Sequence, residues 1–248
     1  MRRLIDICDH LLNWIVGLAA VLMILVSAYS IWDNAQIYRG ASNRQLLVYK
    51  PQLESEIPFQ VISGDQVFWL TIYDTNIDYP VMQGRDDYEY LNKNPLGEFS
   101  LSGSIFLDSR NDPALTDDYS VIYGHHMEYG AMFGSLDEYT RHPYFATHRR
   151  GHIVTPDKVY DLNIFAVSYA DAKDSTIYGA GSLTSAEIVD RVRESAVIFT
   201  EPTPGNRITA FSAAVAPSTD FHSPPFERAG QITSKKYILY HIALFHLV

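Results

Sequence analysis

Cysteine is almost missing: the 248 residues contain one, Cys8, close to the start. A lone thiol excludes an intrachain disulfide and any cysteine-based zinc site. Basic residues are also few, 19 Lys and Arg against 29 Asp and Glu, which leaves a formal net charge of −10. Phosphate binding needs a positive stripe and none is visible, so no nucleic-acid partner is expected. A Gly-rich phosphate loop and an H-E-x-x-H metal helix are missing too, and the sequence predicts neither metal nor cofactor. Internal repeats and low-complexity tracts are absent, and a 47% hydrophobic, 13% aromatic composition argues against disorder.

One long charge-free run does occur, LLNWIVGLAAVLMILVSAYSIW from Leu11 to Trp32. Roughly 20 apolar residues are enough to cross a bilayer core, and Trp14, Tyr29 and Trp32 lie towards the ends, where aromatic rings favour the interface. The run exceeds the roughly 7 to 15 apolar residues of a cleaved signal peptide. Arg2 and Arg3 precede it and Asp33 follows it, so the positive-inside rule puts the N-terminus in the cytoplasm and everything after Trp32 outside. Cys8 then lies on the inner side, out of reach of outer-domain chemistry. The predicted organisation is a cytoplasmic start (1–10), a transmembrane anchor (11–32), a stalk or docking helix (33–59) broken at Pro51, and a compact domain (60–248).

That domain is predicted to be mainly β. Seventeen tyrosines and twelve phenylalanines suit pleated, half-buried surfaces. VFWLTIY, YPVMQ, GSIFLD, SVIYG, HIVTP and VYDLNIFAVSY are short β-branched and aromatic runs separated by Gly, Pro, Asn and Asp turns, the rhythm of a barrel or sandwich. TSAEIVDRVRESAVIF, residues 184–199, interrupts it with a helix. Thr184 and Glu187 form a capping box, Ile188, Val189, Val192 and Ala196 recur at helical spacing, and Glu187 with Arg191 is an i,i+4 pair.

The chemistry-bearing residues cluster in VIYGHHMEYGAMFGSL, residues 121–136, where His125 and His126 follow an apolar strand. A histidine there can exchange protons, hold a metal or fill a polar gap. His142, His148 and His152 bring no carboxylate cluster with them and read as surface or loop residues. Asp108 in FLDSRN reads as a turn-former with Asn111 and Pro113, and DDYEY (86–90) and TDDYS (116–120) as solvated acidic loops.

The order of motifs, an N-terminal anchor, IDYPVMQ, GSIFLDSRN, YGHHM and MFGSL, resembles the class B sortases of Gram-positive bacteria, over roughly residues 40–212. The resemblance implies a membrane-anchored cysteine transpeptidase on an eight-stranded β-barrel with flanking helices, the helix at 184–199 being the extra helix of that class. Its partners would be secreted proteins bearing a sorting signal and an acceptor amine of a cell-wall precursor or a pilin. It implies that His125 is the catalytic histidine and His126 a neighbour. The family's Leu-Ser-Thr-Cys motif falls on Phe211, Ser212, Ala213 and Ala214, so Ala214 stands where the nucleophilic cysteine is expected. His222 stands near the position of the family's arginine.

Alanine offers no nucleophile, and His222 is a shorter, often neutral replacement for an oxyanion-stabilising guanidinium. Ser212 shares the strand face of position 214, but same-face residues are about 6 to 7 Å apart, so it misses a geometry built for 214. Pro224 and Pro225 would break a central strand directly after the motif, and the apolar YILYHIALFHLV, 237–248, arrives late. Three origins remain open: a substituted nucleophile, a natural pseudoenzyme, or a reading-frame change near residues 210–222. As written, the chain is expected to perform no transpeptidation; the alternative is a peptide-binding or scaffolding module.

Overall fold

The computed structural model describes residues 2–52, 59–171, 174–214 and 239–247. The chain falls into two compact units, Met1–Gly40 and Ala41–Val248. The first consists of helix α1, Arg2–Ala41, without its last residue, which belongs to the second. An 18-residue stretch within the helix portion His10–Ala41 has a mean hydropathy of 2.3, and the portion is long and apolar enough to cross a membrane. The stretch 33–59 therefore begins as helix and continues through the short 3-10 turns Asn43–Gln45 and Leu47–Tyr49. Leu46 packs there with Trp69 and Val154, and the Lys50 ammonium meets Asp78 at 2.7 Å.

The alternating runs become β1 (Gln66–Ile72), β2 (Asp78–Met82), β3 (Ile105–Leu107), β4 (Tyr119–His125), β5 (Arg150–Val154) and β6 (Val159–Asp171), with a short helix α2 (His142–Thr147) before β5. After β6 come α3 (Ser185–Ser195), β7 (Ala196–Phe199), β8 (Ile208–Ala214) and β9 (Leu239–Leu247). Hydrogen-bonded neighbours run β5-β1-β2-β3-β4-β8-β9-β6, and β6 returns to β5. That closure makes an eight-stranded barrel, and β7 is a branch on the far half of β6. Closure removes the exposed edges an open sheet would carry.

Strand alternation divides the apolar residues into two layers. Phe68, Leu70, Ile122, Phe211, Ala213 and Phe245 belong to the barrel interior. Tyr119, Val121, Ile208, Ala210 and Leu244 point outward, under Ile188 and Val192 of α3. Phe211 stacks on Phe245 at 4.4 Å and on Phe133 at 5.5 Å between ring centroids. Burial of one such ring contributes roughly 1.5–3 kcal/mol.

Several expectations change. The helix ends at Ser195, because Val197, Ile198 and Phe199 are β-formers, and β7 pairs with β6 through Ala196, Ile198 and Phe199. Its capping box is present, Thr184 Oγ1 accepting from the Glu187 backbone. With the Glu187 carboxylate engaged there, Arg191 reaches Asp174 at 2.8 Å in place of an i,i+4 pair. His152 is buried inside the wall on β5, 4% exposed, with Nδ1 2.9 Å from the Tyr73 hydroxyl, so it is no surface residue. The acidic loops expose Asp86 and Asp118 to solvent, while Asp117 accepts from Asn111 Nδ2 and from the Asp112 backbone, both at 2.8 Å, and Asp87 accepts from the Ser109 backbone at 2.8 Å. Finally, the late apolar run supplies a last strand, β9, which fills the gap between β8 and β6.

Candidate active site

The site is built on β4 and β8, which run parallel side by side. Their register pairs Tyr119 with Ile208 and proceeds without a bulge to Tyr123 with Ser212 and His125 with Ala214. On β8 the interior series is Phe211 and Ala213, so position 214 continues the outward series of Ile208, Ala210 and Ser212. On β4, Tyr119 and Val121 point outward, and His125 follows them in alternation. The two positions thus share one face of neighbouring strands, about 4.8 Å apart across the ladder. His222 lies outside the described residues. The antiparallel register of β9 places Tyr240 opposite Ala214.

Local packing fixes the end of β4. A Cβ at Gly124 would stand 2.6 Å from the Phe133 ring, so only glycine lets that ring cover the strand. The Phe133 backbone then donates to the His125 carbonyl at 3.2 Å. A Cβ at Gly134 would collide with the Met127 carbonyl. Met132 donates its backbone N–H to the Tyr79 hydroxyl at 3.0 Å, and that hydroxyl donates to the Ala41 carbonyl at 3.0 Å. The spacing between YGHHM and MFGSL is therefore a fold-back that clamps the residues around His125.

The two histidines have opposite environments. His125 is half-buried, and burial lowers its pKa from the ordinary 6.5, so its imidazole is neutral at pH 7. His126 Nε2 lies 2.8 Å from Asp137 Oδ2, and this partner raises its pKa against the opposing effect of burial. A neutral imidazole beside position 214 suits a proton acceptor; an imidazole held by a carboxylate suits anchoring.

Behind β4 lies a polar frame that the motifs explain. Asp108, 0% exposed, accepts from Arg110 Nε and Nη2 at 2.9 and 2.7 Å and from the Tyr123 hydroxyl at 2.8 Å. Burial would raise its pKa, but the Arg110 and Tyr123 hydrogen bonds outweigh it and keep the carboxylate ionised. Asn111 ties the frame to β4, donating to the Tyr119 carbonyl and accepting from the Val121 N–H at 2.9 Å each. Gln83 Nε2 donates to the Asp108 and Asn111 carbonyls at 3.0 and 2.7 Å. Asp108 is thus a structural turn carboxylate with a larger partner set than its neighbours in sequence announce.

Sequence reasoning missed Tyr178, Arg110 and Asp137. Tyr178 stacks on Tyr123 at 6.3 Å, its hydroxyl sits 3.2 Å from Ser212 Oγ, and its carbonyl accepts from Arg110 Nη2 at 2.9 Å. No motif surrounds it in the sequence. Ser212 is 1% exposed and engaged with that hydroxyl, in agreement with its rejection as a nucleophile. His142 and His148 sit in and after α2, the latter stacked on Tyr144 at 3.7 Å and apart from the pair. Among the described residues, no group of three or more His, Cys, Asp or Glu is placed to hold a metal.

A sortase-domain model matches residues 70–200. The chain is similar to a sortase B of Listeria monocytogenes, 40% identical over 108 residues, a match covering 44% of each chain. It is also similar to a sortase B of Staphylococcus aureus, 28% identical over 177 residues and covering 66% of this chain and 71% of that one. Among solved structures, a Streptococcus pyogenes class B sortase involved in pilus biogenesis superposes with a TM-score of 0.62 at 32% identity, covering 75% of this chain and 94% of the other. The match to the Listeria relative spans less than half of that protein's length.

Proposed function

We propose, from the premise that this chain belongs to the sortase family and to its class B, that its barrel is a membrane-anchored acyl-transfer scaffold whose reaction requires a thiol at position 214. The observation that carries the proposal is the pairing of His125 with Ala214 on one face of adjacent strands. In this reading a sulfur at 214 would give its proton to the neutral His125 imidazole and attack the carbonyl of a sorting signal in a secreted protein. The imidazolium would then protonate the departing amine, leaving a thioester. An incoming amine, from a cell-wall precursor or a pilin, would lose its proton to His125 as it attacks the thioester and frees the sulfur.

With Ala214 there is no such nucleophile, so the chain as written binds the sorting peptide without turning it over. Ser212, sequestered by Tyr178, favours this peptide-binding reading over a serine-dependent one. The arginine function falls to His222, the residue near the position of the family's arginine. Helix α1 serves as a single-pass anchor over 11–32, with residues 1–10 cytoplasmic and the barrel domain extracellular. Arg2 and Arg3 ahead of the span and Asp33 after it support that orientation.

The test is covalent capture. Full-length protein and its Ala214→Cys variant, in detergent micelles, are incubated with a peptide library carrying candidate sorting motifs and analysed by intact mass spectrometry. The variant gains the mass of an acyl adduct and the unaltered chain does not. An unaltered chain that forms the adduct, or a folded variant that never does, overturns the proposal.

A further inference from the structure

The barrel end that carries His125 bears a second feature, a cleft of ≈ 340 Å³ where β1 ends and β5 begins. β1 is antiparallel to β2, β2 parallel to β3 and β3 antiparallel to β4, so β1 and β4 run in one direction and finish at the same end of the barrel. Arg149 and Arg150 line the cleft together with Tyr73, His148 and Asn163, and Asp74 is the one acid among its described residues. The lining is therefore net positive in a chain whose formal charge is −10.

Both guanidinium groups of the cleft are left without a carboxylate. Lys50, Lys93, Arg110, Arg191 and Arg193 each meet one at 3.0 Å or less, whereas Arg149 and Arg150 meet none among the described residues. Arg149 is half-buried and held in place: its Nε and Nη2 donate to the Ile164 carbonyl at 3.3 and 3.1 Å, and the group lies 5.4 Å from the centre of the Phe145 ring. Arg150 is exposed, and its side chain makes no hydrogen bond among the described residues. Asn163 stands opposite Arg150 in the β5–β6 register, half-buried, and its amide is likewise without a partner there. Solvation accounts for Arg150 alone; it does not account for a fixed, half-buried arginine and an unbonded amide that line the same cleft.

Guanidinium groups carry only donors and keep their charge across the working pH range, so the ligand that fits them is an oxyanion. A planar carboxylate is served by one guanidinium fork. Two guanidinium groups and an amide, arriving from the start of β5 and from β6, can each take a different oxygen of a tetrahedral phosphate. We propose that this cleft binds a phosphate group, from a phospholipid headgroup or a soluble phosphate ester, with Arg150 as the principal donor and Arg149 and Asn163 completing the cradle. Asp74, at the same cleft, opposes the anion and limits its affinity. The inference goes beyond acyl transfer and does not depend on it, since no step at position 214 uses these residues.

The experiment is calorimetric titration of the full-length chain in phosphatidylcholine nanodiscs at pH 7 and low, constant ionic strength. The probe is glycerol 3-phosphate, and malonate is the planar carboxylate control of similar charge. Glycerol phosphate is expected to bind at least ten-fold more tightly than malonate. Arg150→Gln, which breaks no side-chain bond among the described residues, is expected to weaken that binding at least ten-fold, and Asp74→Asn to tighten it several-fold. Arg85→Gln, an equal charge change at an exposed position outside the cleft, leaves it unchanged. The titration is then repeated in nanodiscs carrying phosphatidylglycerol and in discs carrying the same charge as oleate. Loss of glycerol phosphate binding in the phosphatidylglycerol discs alone identifies the lipid headgroup as the ligand. Unchanged binding, or an equal fall in both charged discs, identifies a soluble ester. Equal affinity for the two probes, equal affinity in the Arg150→Gln and Arg85→Gln proteins, or weaker binding after Asp74→Asn overturns the proposal.

Discussion

The β4 and β8 walls of the site are built from the same kind of strand and carry different amounts of chemistry. On β4 Tyr123 is bonded to Asp108 and the His125 carbonyl to Phe133, and His126, just past the strand, is held by Asp137. On β8 the outward series is Ile208, Ala210 and Ser212 before position 214, and the interior series is Phe211 and Ala213. The register of β8 is held by ladder hydrogen bonds and by Phe211, sandwiched between Phe133 and Phe245. Neither depends on what projects outward at the strand end. A nucleophile can therefore vanish from β8 while the geometry built to serve it on β4 persists.

The sharpest way to test that separation is to restore the sulfur and then remove its partner. In an Ala214→Cys background, His125→Ala is expected to slow acyl capture by roughly 10²–10⁴-fold, the usual contribution of a positioned acid-base group, as read by quenched mass spectrometry. A loss below ten-fold would mean that β4 no longer serves position 214. Next in size is the interior of β8: Phe211→Ala removes a fully buried ring and is expected to cost about 3–5 kcal/mol in urea unfolding. Asp108→Asn attacks the β4 frame and is expected to cost about 2 kcal/mol, because Arg110, half exposed, recovers part of its bonding from water. Thr184→Ala, outside both walls, removes the α3 cap and is expected to cost about 1 kcal/mol. If Thr184→Ala proved more damaging than Phe211→Ala, α3 and not the interior layer would be holding β8.

The parts of this arrangement that were legible in the sequence are those written by short-range rules. Strands appeared as alternating runs because side chains on a pleat alternate faces, and α3 appeared because its cap and its apolar stripe lie within eleven residues. The juxtaposition of 125 and 214 came through the motif resemblance and not through any local pattern, since parallel pairing of β4 with β8 joins segments 89 residues apart. Partners of the site histidines stayed hidden for the same reason: nothing in YGHH indicates that Asp137 folds back on His126. β7 was hidden by its position, directly after a helix whose periodicity runs on into Ala196. The role of the last apolar run was obscured because a connection of 24 residues, 215–238, separates β9 from β8, whereas adjacent antiparallel strands usually follow a short turn.

The smallest expected effect concerns the adjacent histidines, and it tests whether the two sides of the β4 end differ as their surroundings say. Burial holds the His125 pKa below 6.5, so its contribution to stability is present above 6.5 and is lost as pH falls through the depressed folded value. Asp137 holds the His126 pKa above 6.5, so that pair contributes below 6.5 and its contribution is lost as pH rises through the elevated folded value. Asp137→Asn removes the charge that favours the imidazolium and leaves burial, which opposes it. The expected result in a proton NMR titration of the ring Cε1–H signals is a downward move of the His126 midpoint, with the His125 midpoint still the lower-lying of the wild-type pair and nearly unmoved. Because Asp137 is 43% exposed at its side chain, the accompanying loss of stability at pH 5.5 is expected to stay below about 1 kcal/mol and to disappear as pH is raised past the elevated wild-type His126 midpoint. A His125 signal that follows His126 in the variant would show that the two rings titrate as one unit, and the division of labour between proton transfer at 125 and anchoring at 126 would have to be abandoned.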